Sequence, residues 1–281
     1  MAMSFADAVP VNVFRDGPFR WRMLTRALGA GAWLQIDDQL ETYRAQKAAL
    51  IAERFDDCVL SVPGSESAGG EVLRLVQADL ASQGRETVVD DSLHPIDAAA
   101  RAIQEDLVLM ERQDQGWVMT AGSVCFPTRW DPRAKIGQSM DAIHEPVPQY
   151  QEMIGSLVNR FFDRLQPGHL VWRPNWSLVD DPGLRLDPGH RQLKVGDLDD
   201  VGRELWLRVE RQTLRRLEEH PDAICFTIRV HRWPLHEVAS ELTDSAFAQE
   251  LAEMPVDIAD YKNIAGVRDE LARWIETARD K

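Results

Sequence analysis

Cysteine is scarce in this chain. Only three occur in 281 residues, Cys58, Cys125 and Cys225, and no two share a CxxC spacing. That set excludes a disulfide framework and an iron–sulfur site of ordinary type, and it fits reduced thiols in a reducing compartment. Positive charge is also short: 32 Lys and Arg stand against 46 Asp and Glu, for a formal net charge of −14. An acidic surface of this size disfavours nonspecific binding to nucleic acid or to an anionic membrane. No apolar run approaches the roughly 20 residues of a membrane span. The start, MAMSFADAVPVNVFRDG, lacks the basic-then-apolar pattern of a secretory signal, so a cytoplasmic protein is expected. Several catalytic fingerprints are missing as well: no GxGxxG, Walker loop, GxSxG or HExxH is present. Tyrosine is rare, at three against nine Trp.

What is present is a change of character near residue 105. Residues 1–20 read as irregular and 21–55 as helical, with a glycine break near Gly29 and Gly31. Val72, Leu75, Val76 and Leu80 place one apolar stripe on a helix over 71–83, and a short helix is expected over 96–104. Strand patterns then begin. The segments 107–112 and 117–125 flank QDQG and predict a hairpin. Pro127, Pro132, Pro146 and Pro148 keep the next stretch irregular, with a short helix expected at 135–140. From 148 to 165, Met153, Ile154, Leu157, Val158, Phe161, Phe162 and Leu165 recur at helical spacing. Further strands are expected at 170–179, 204–213 and 223–232, with a loop over 180–201 and closing helices at 235–253 and 256–278.

This order predicts an α+β protein: a PAS-like antiparallel five-stranded sheet with a helical insertion, plus N- and C-terminal helical extensions. The expected division is a mainly helical extension over 1–104, a core over 105–233 and C-terminal helices over 234–281, packed as one unit. In such a fold the sheet and its inserted helices enclose a pocket. Trp117, Trp172, Trp176 and Trp206 lie in or beside strands and could wall it, or simply pack the core.

The chemistry-bearing groups cluster in a few places. His144 stands in the irregular segment, just before Pro-Val-Pro and the apolar helix. A neutral imidazole is a common ligand for haem iron or zinc, and stiff flanking backbone fixes where it points. A hydrogen-bonding structural role is the alternative. Arg129, Arg133 and Lys135 precede it and could meet the acidic side chains of a porphyrin, or serve only to solvate a loop. In LRVERQT, strand alternation puts Arg208, Glu210 and Gln212 on one side and Val209, Arg211 and Thr213 on the other; Thr227 and Arg229 add polar groups on the next strand. Asn175, in RPNWS, could orient a ligand or stabilise a bulge, and Cys125 in VCF reads as a buried thiol.

The run VCFPTRWDPRAKIGQSMDAIHEPVPQY, followed by RPNWS, LRVERQTLRRL and ICFTIRV, closely resembles the haem-dependent oxidative N-demethylase family. The likeness runs from the Trp33 region and the VPGSES loop to ICFTIRVHRWPL. It implies an alpha subunit with a haem-binding PAS domain that oxidises a small secondary amine such as dimethylamine, with O2, to a primary amine and formaldehyde. It implies haem b held by one axial histidine, His144. It also implies electron-transfer partner subunits carrying FMN, a [2Fe–2S] cluster and tetrahydrofolate. Arg211, Gln212, Thr213, Glu210 and Arg229 are then expected at the polarised catalytic side, and Lys135, Arg129, Arg133 and Asn175 around the cofactor. A haem-based gas sensor and a haem-free scaffold subunit are the competing readings. A sensor would carry a coiled-coil helix or output domain, and no sustained heptads occur in the closing helices.

Overall fold

The computed structural model describes residues 3–10, 13–14, 23–29, 33–85, 87–189, 193–194, 196–244 and 246–279. Their centre is one antiparallel sheet of seven strands in the order β1-β5-β6-β7-β3-β4-β2. The five long strands are β3 (Asp106–Gln113), β4 (Gly116–Ser123), β5 (Leu170–Val179), β6 (Trp206–Arg216) and β7 (Ala223–Pro234). Two short strands, β1 (Arg26–Ala27) and β2 (Val59–Ser61), extend the sheet at its two edges, so it has seven strands rather than five. Neither carries enough alternation to be read from sequence. Each is recruited by the unpaired backbone of a longer edge strand: β1 pairs with Val171 and Trp172, and β2 with Ala121, Gly122 and Ser123.

The hairpin closes at Gly116, whose φ of +110° suits a residue without Cβ. Glu111, Arg112 and Gln113 pair with Val118, Trp117 and Gly116, and a register shift between Leu109 and Met110 bends the ribbon. The Asp106 carboxylate accepts from the amides of Cys125 (3.0 Å) and Phe126 (2.7 Å) and fixes the chain where it leaves β4. Lys47 lies 3.5 Å from the same carboxylate and donates to the carbonyls of Ala100 (3.0 Å) and Glu105. These buried groups are thereby paired, which burial demands.

Both faces of the sheet are covered, so the central strands are buried along nearly their whole length. On one face, Ala68, Val72, Val76 and Leu80 of the Glu66–Ser82 helix pack with Ala99, Ala100, Leu107, Leu109, Ala121 and Cys225. The same face continues into a second cluster, in which Leu207, Val209, Trp176 and Trp233 meet Val9 and Phe14 from the N-terminal region and Leu242, Phe247, Leu251 and Leu271 from the closing helices. On the other face lies the segment between β4 and β5. Met140, Phe162 and Leu165 from this insertion pack on Val108, Met110, Trp117, Met119, Leu214 and Ile224. The Trp117 and Phe162 rings meet edge to face at 5.6 Å.

Several local expectations shift. The helix expected at 135–140 is a 3-10 turn at Pro132–Ala134 followed by a single helical turn at Met140–Ile143. Pro148 does not open the following helix directly. A π turn at Gln151–Gly155 precedes the regular helix Ser156–Arg164. The 235–253 stretch breaks into three pieces, Leu235–Val238, Ala239–Thr243 and Phe247–Glu253, and each sends buried apolar side chains into one core cluster. Within 21–55, the regular helix described is Leu40–Glu53. The first glycine of the expected break, Gly29, is described, while Gly31 lies outside the described residues.

Candidate functional site

Strand β6 sends alternate side chains to two different environments. Its register with β5 sets Arg173 opposite Gln212 and Asn175 opposite Glu210, so these four share the face covered by the insertion. Pro174 lies opposite Arg211 and Trp172 opposite Thr213, and these share the other face. The pairing with β7 adds Arg229 beside Arg211 and Thr227 beside Thr213.

On the insertion face, Glu210 is the hub. One carboxylate oxygen accepts from the Thr128 hydroxyl at 2.5 Å. The other accepts from Gln212 Nε2 at 2.8 Å and Asn175 Nδ2 at 3.3 Å. The buried Arg208 guanidinium donates to Thr128 Oγ1 (2.8 Å) and to the carbonyls of Phe126, Gly183 and Leu184, which ties two loops to the sheet; burial lowers its pKa to about 10. Tyr261 and Lys262 stand at the edge of β5, where Lys262 Nζ donates to the Trp176 carbonyl at 2.7 Å. Burial pulls the Lys262 ammonium down to about 8, against the opposing charge of Glu250, while the neighbouring Tyr261 is exposed.

His144 approaches this face from the insertion. Ser139 caps the single helical turn before it, accepting from the Ala142 amide at 3.3 Å. The turn brings His144 Nδ1 to within 2.9 Å of the Met140 carbonyl oxygen. A carbonyl can only accept, so Nδ1 carries the proton and Nε2 carries the lone pair. Burial lowers the pKa of His144, and the charges of Arg173 and Lys135 push the same way, which favours the neutral imidazole. The ring stacks on Tyr150 with centroids 4.4 Å apart and planes 8° from parallel. The Tyr150 hydroxyl is buried with no hydrogen-bond partner among the described residues, and burial raises its pKa.

The opposite face holds a separate polar system. Trp33 Nε1 donates to Thr213 Oγ1 at 2.9 Å, and the Thr213 and Thr227 hydroxyls lie 2.7 Å apart. Arg211 donates to the Trp33 carbonyl at 3.1 Å and lies over the Trp172 ring. Arg229 pairs with Asp37 at 3.1 Å and sits 4.3 Å from the Tyr43 ring centroid. A cleft of about 340 Å³ opens here, lined by Leu28, Leu34, Gln35, Gln83, Trp172 and Arg211 among others.

The sequence-read residues therefore divide. Glu210, Gln212 and Asn175 share the insertion face, whose covering segment carries His144. Arg211, Thr213 and Arg229 project from the other side of the sheet and do not converge with them. The cations near His144 are engaged elsewhere: Arg129 pairs with Asp180 at 2.7 Å, and the exposed Arg133 pairs with Asp131 and Asp57, both at 3.0 Å. Lys135 donates to the Ile143 carbonyl at 2.7 Å, one residue before His144. Tyr150, Tyr261 and Lys262 are not marked by any sequence pattern, and Arg173 is marked only by its alternation with Asn175 in RPNWS. Tyr150 follows His144 by six residues in an irregular segment, a spacing that announces no contact. Trp117, Trp172 and Trp176 are buried, and Trp117 and Trp176 stack edge to face with phenylalanines, so at those two positions core packing accounts for the indole.

One imidazole with Nδ1 pinned, no hydrogen-bond partner on Nε2 among the described residues and the neutral form favoured has the donor chemistry of an axial ligand. The Tyr150 hydroxyl beside it marks a polar position that no other described residue satisfies. The family comparison agrees with that chemistry: residues 81–272 match the family described as haem-dependent oxidative N-demethylase, alpha subunit-like. The chain belongs to this family. The matched span covers more than half of the chain and includes His144, Tyr150, Asn175, Glu210 and the whole of β3 to β7. The family's name describes a haem-dependent oxidative enzyme with further subunits. No helix among the described residues is long and apolar enough to cross a membrane.

Proposed function

We propose that this chain is a haem-binding alpha subunit that oxidatively demethylates a small secondary amine of the dimethylamine type, in the cytoplasm and with partner subunits delivering electrons. The balance is one amine, one O2, two electrons and two protons giving a primary amine, formaldehyde and water. The observation that carries the reading is the His144 arrangement: an imidazole held as the Nδ1–H tautomer by the Met140 carbonyl, with its lone pair on Nε2.

The order β4-β3-β7-β6-β5 of the long strands, with helices inserted between the second and third in sequence, supports the PAS-like reading of the core. His144 would hold haem b from the insertion, with Ile143, Val158, Phe161 and Phe226 supplying apolar surface nearby. When bound, the haem supplies the oxygen chemistry and one-electron oxidation that no side chain provides. The chain's residues supply the rest. Glu210 is a buried carboxylate suited to a substrate ammonium, and Gln212 and Asn175 hold its orientation. Tyr150, kept protonated by burial, is a hydrogen-bond donor without an acceptor of its own. Arg173 places a positive charge near both His144 and Tyr150 and suits an acidic porphyrin side chain. FMN, [2Fe–2S] and tetrahydrofolate belong to the partner subunits on this reading.

Absorption spectra of the purified chain with hemin, ferric and dithionite-reduced, test it. His144→Ala should lose haem or displace the Soret band, and dimethylamine should perturb the wild-type spectrum. Identical spectra and haem content in wild type and His144→Ala overturn the assignment. Haem uptake without formaldehyde release in the presence of a reductant, O2 and dimethylamine leaves only a binding module.

A further inference from the structure

A Ser–His–Glu relay lies outside everything described so far, where the Glu66–Ser82 helix meets the turn between β6 and β7. Ser67 Oγ is 2.8 Å from His220 Nε2, and His220 Nδ1 is 2.8 Å from Glu71 Oε2. Ser67 is exposed, His220 is partly exposed and Glu71 is buried, the gradient that a nucleophile, a base and an orienting acid require. Local sequence explains the geometry. Ser67 and Glu71 are four residues apart on one helix and so lie on one face. Glu71 accepts from the amides of Glu218 (2.7 Å), Glu219 (3.1 Å) and His220 (3.0 Å), which locks the turn carrying His220 against that face. Burial alone would raise the Glu71 carboxyl; the His220 bond and the three amides outweigh it and keep the group ionised.

The tautomer follows. Nδ1 faces a carboxylate and carries the proton, so Nε2 accepts from the Ser67 hydroxyl. A second Ser–His pair two residues away shows the contrast. His94 Nδ1 accepts from the Ile96 amide at 3.3 Å, so its Nε2 carries the proton and donates toward Ser65, 3.2 Å away. Ser65 spends its own proton on the Val62 carbonyl at 2.8 Å. Of the two histidines, only His220 is set up as a base.

Ser67 also sits in the first turn of a 17-residue helix that follows strand β2. The amides of Ser67 and Ala68 precede the first intrahelical bond, Gly69 N–H to the Ser65 carbonyl, and have no acceptor within the helix. Ala68 is buried, so of the two the amide of the exposed Ser67 is the donor open to an oxyanion beside Oγ. A metal reading of the neighbouring Glu71, Glu219 and His220 is weaker. Both His220 nitrogens are engaged, Glu71 is saturated by amides, and Glu219 pairs with Arg74 at 2.5 Å.

We propose that Ser67 is a nucleophile toward small acyl esters, with His220 as its general base and Glu71 as the positioning residue. The Ser67 proton passes to His220 Nε2 as Oγ bonds to the acyl carbon. The ester C–O bond then breaks, and the same proton goes to the departing alcohol. Water, deprotonated by Nε2, releases the carboxylic acid and regenerates the hydroxyl. No oxidant or haem is needed, so this site is independent of the amine reaction.

The test uses the full chain with a fluorophosphonate probe and p-nitrophenyl acetate. Peptide mapping should find the phosphonyl adduct on Ser67, formed at least about 100-fold faster than on Ser65. Ser67→Ala should abolish both the adduct and the ester hydrolysis. His220→Gln should slow labelling by a similar factor and remove its rise with pH. Glu71→Gln, which keeps an acceptor for one side of this network, should flatten that pH profile too; should it fail to fold, the Ser67 and His220 variants still decide. Labelling of Ser67 at the Ser65 rate, labelling indifferent to His220→Gln, or hydrolysis that a chelator removes and zinc restores would overturn the proposal.

Discussion

The two faces of strand β6 carry the same kinds of residue and use them differently. On the insertion face, Glu210 gathers neutral donors, Thr128, Asn175 and Gln212, and the histidine of the covering segment keeps one nitrogen uncommitted. On the opposite face, cations meet anions and backbone: Arg229 with Asp37, Arg211 with Trp33, and Glu105 with the amide of Gln35. The first arrangement surrounds a carboxylate with neutral hydrogen-bond donors. The second has largely spent its charge on holding the 33–37 segment against the sheet. Polar residues on a buried strand are therefore not one class; what distinguishes them is whether their partners are neutral or already charged.

The sharpest way to break that comparison is Arg229→Ala. If the second face is structural, this change strands Asp37 and leaves Glu105 without the nearby charge that opposes its burial, at a cost of about 3–5 kcal/mol in urea unfolding. Haem uptake measured below the melting point should stay as in wild type; a Soret shift would move Arg229 to the functional side. Next in size, Glu210→Gln removes the carboxylate from the first face. It should weaken dimethylamine binding about tenfold, roughly 1.4 kcal/mol, with haem content retained; unchanged amine affinity would relocate the ammonium site.

The pH response is expected to be comparable. His231 is buried beside Gln35, and burial first, then the Arg229 and Arg211 charges, hold its pKa well below the usual 6.5. His144 is lowered in the same direction. Between the depressed folded value and 6.5 the unfolded chain binds protons that the folded chain refuses, so stability rises with pH in that window. It is lost as pH falls below 6.5, by up to about 1.4 kcal/mol per pH unit for each histidine. His231→Gln should reduce that slope in acid unfolding curves; an unaltered slope would mean His231 is protonated in the fold. Smallest is Trp33→Phe, which deletes the donor to Thr213 and should cost about 1 kcal/mol in stability without touching the haem spectrum.

Much of the architecture was legible. The 107–112/117–125 hairpin and the strands at 170–179 and 223–232 appear close to where alternation places them, because a half-turn period writes itself directly into hydrophobicity. The division of β6 into Arg208/Glu210/Gln212 and Arg211/Thr213 follows from the same period. The register places Arg211 and Thr213, expected beside Glu210, on the opposite face of the sheet from it. The edge strands β1 and β2 were not legible, since two or three residues carry no period. Nor was the engagement of Arg129 and Arg133 by Asp180, Asp131 and Asp57, because proximity in sequence to His144 says nothing about which carboxylate a long side chain reaches.

Sequence by itself determined the order of the long strands, the net acidic charge and the family to which the chain belongs. Tertiary structure alone decided which side of the sheet each polar residue serves, that Tyr150 and Arg173 join His144, and that Ser67, Glu71 and His220 meet across about 150 positions of chain. The reason is physical. Periodicity and turn chemistry are local and survive in the order of residues, whereas hydrogen-bond partnership depends on strand register and loop closure, which only the packed core fixes.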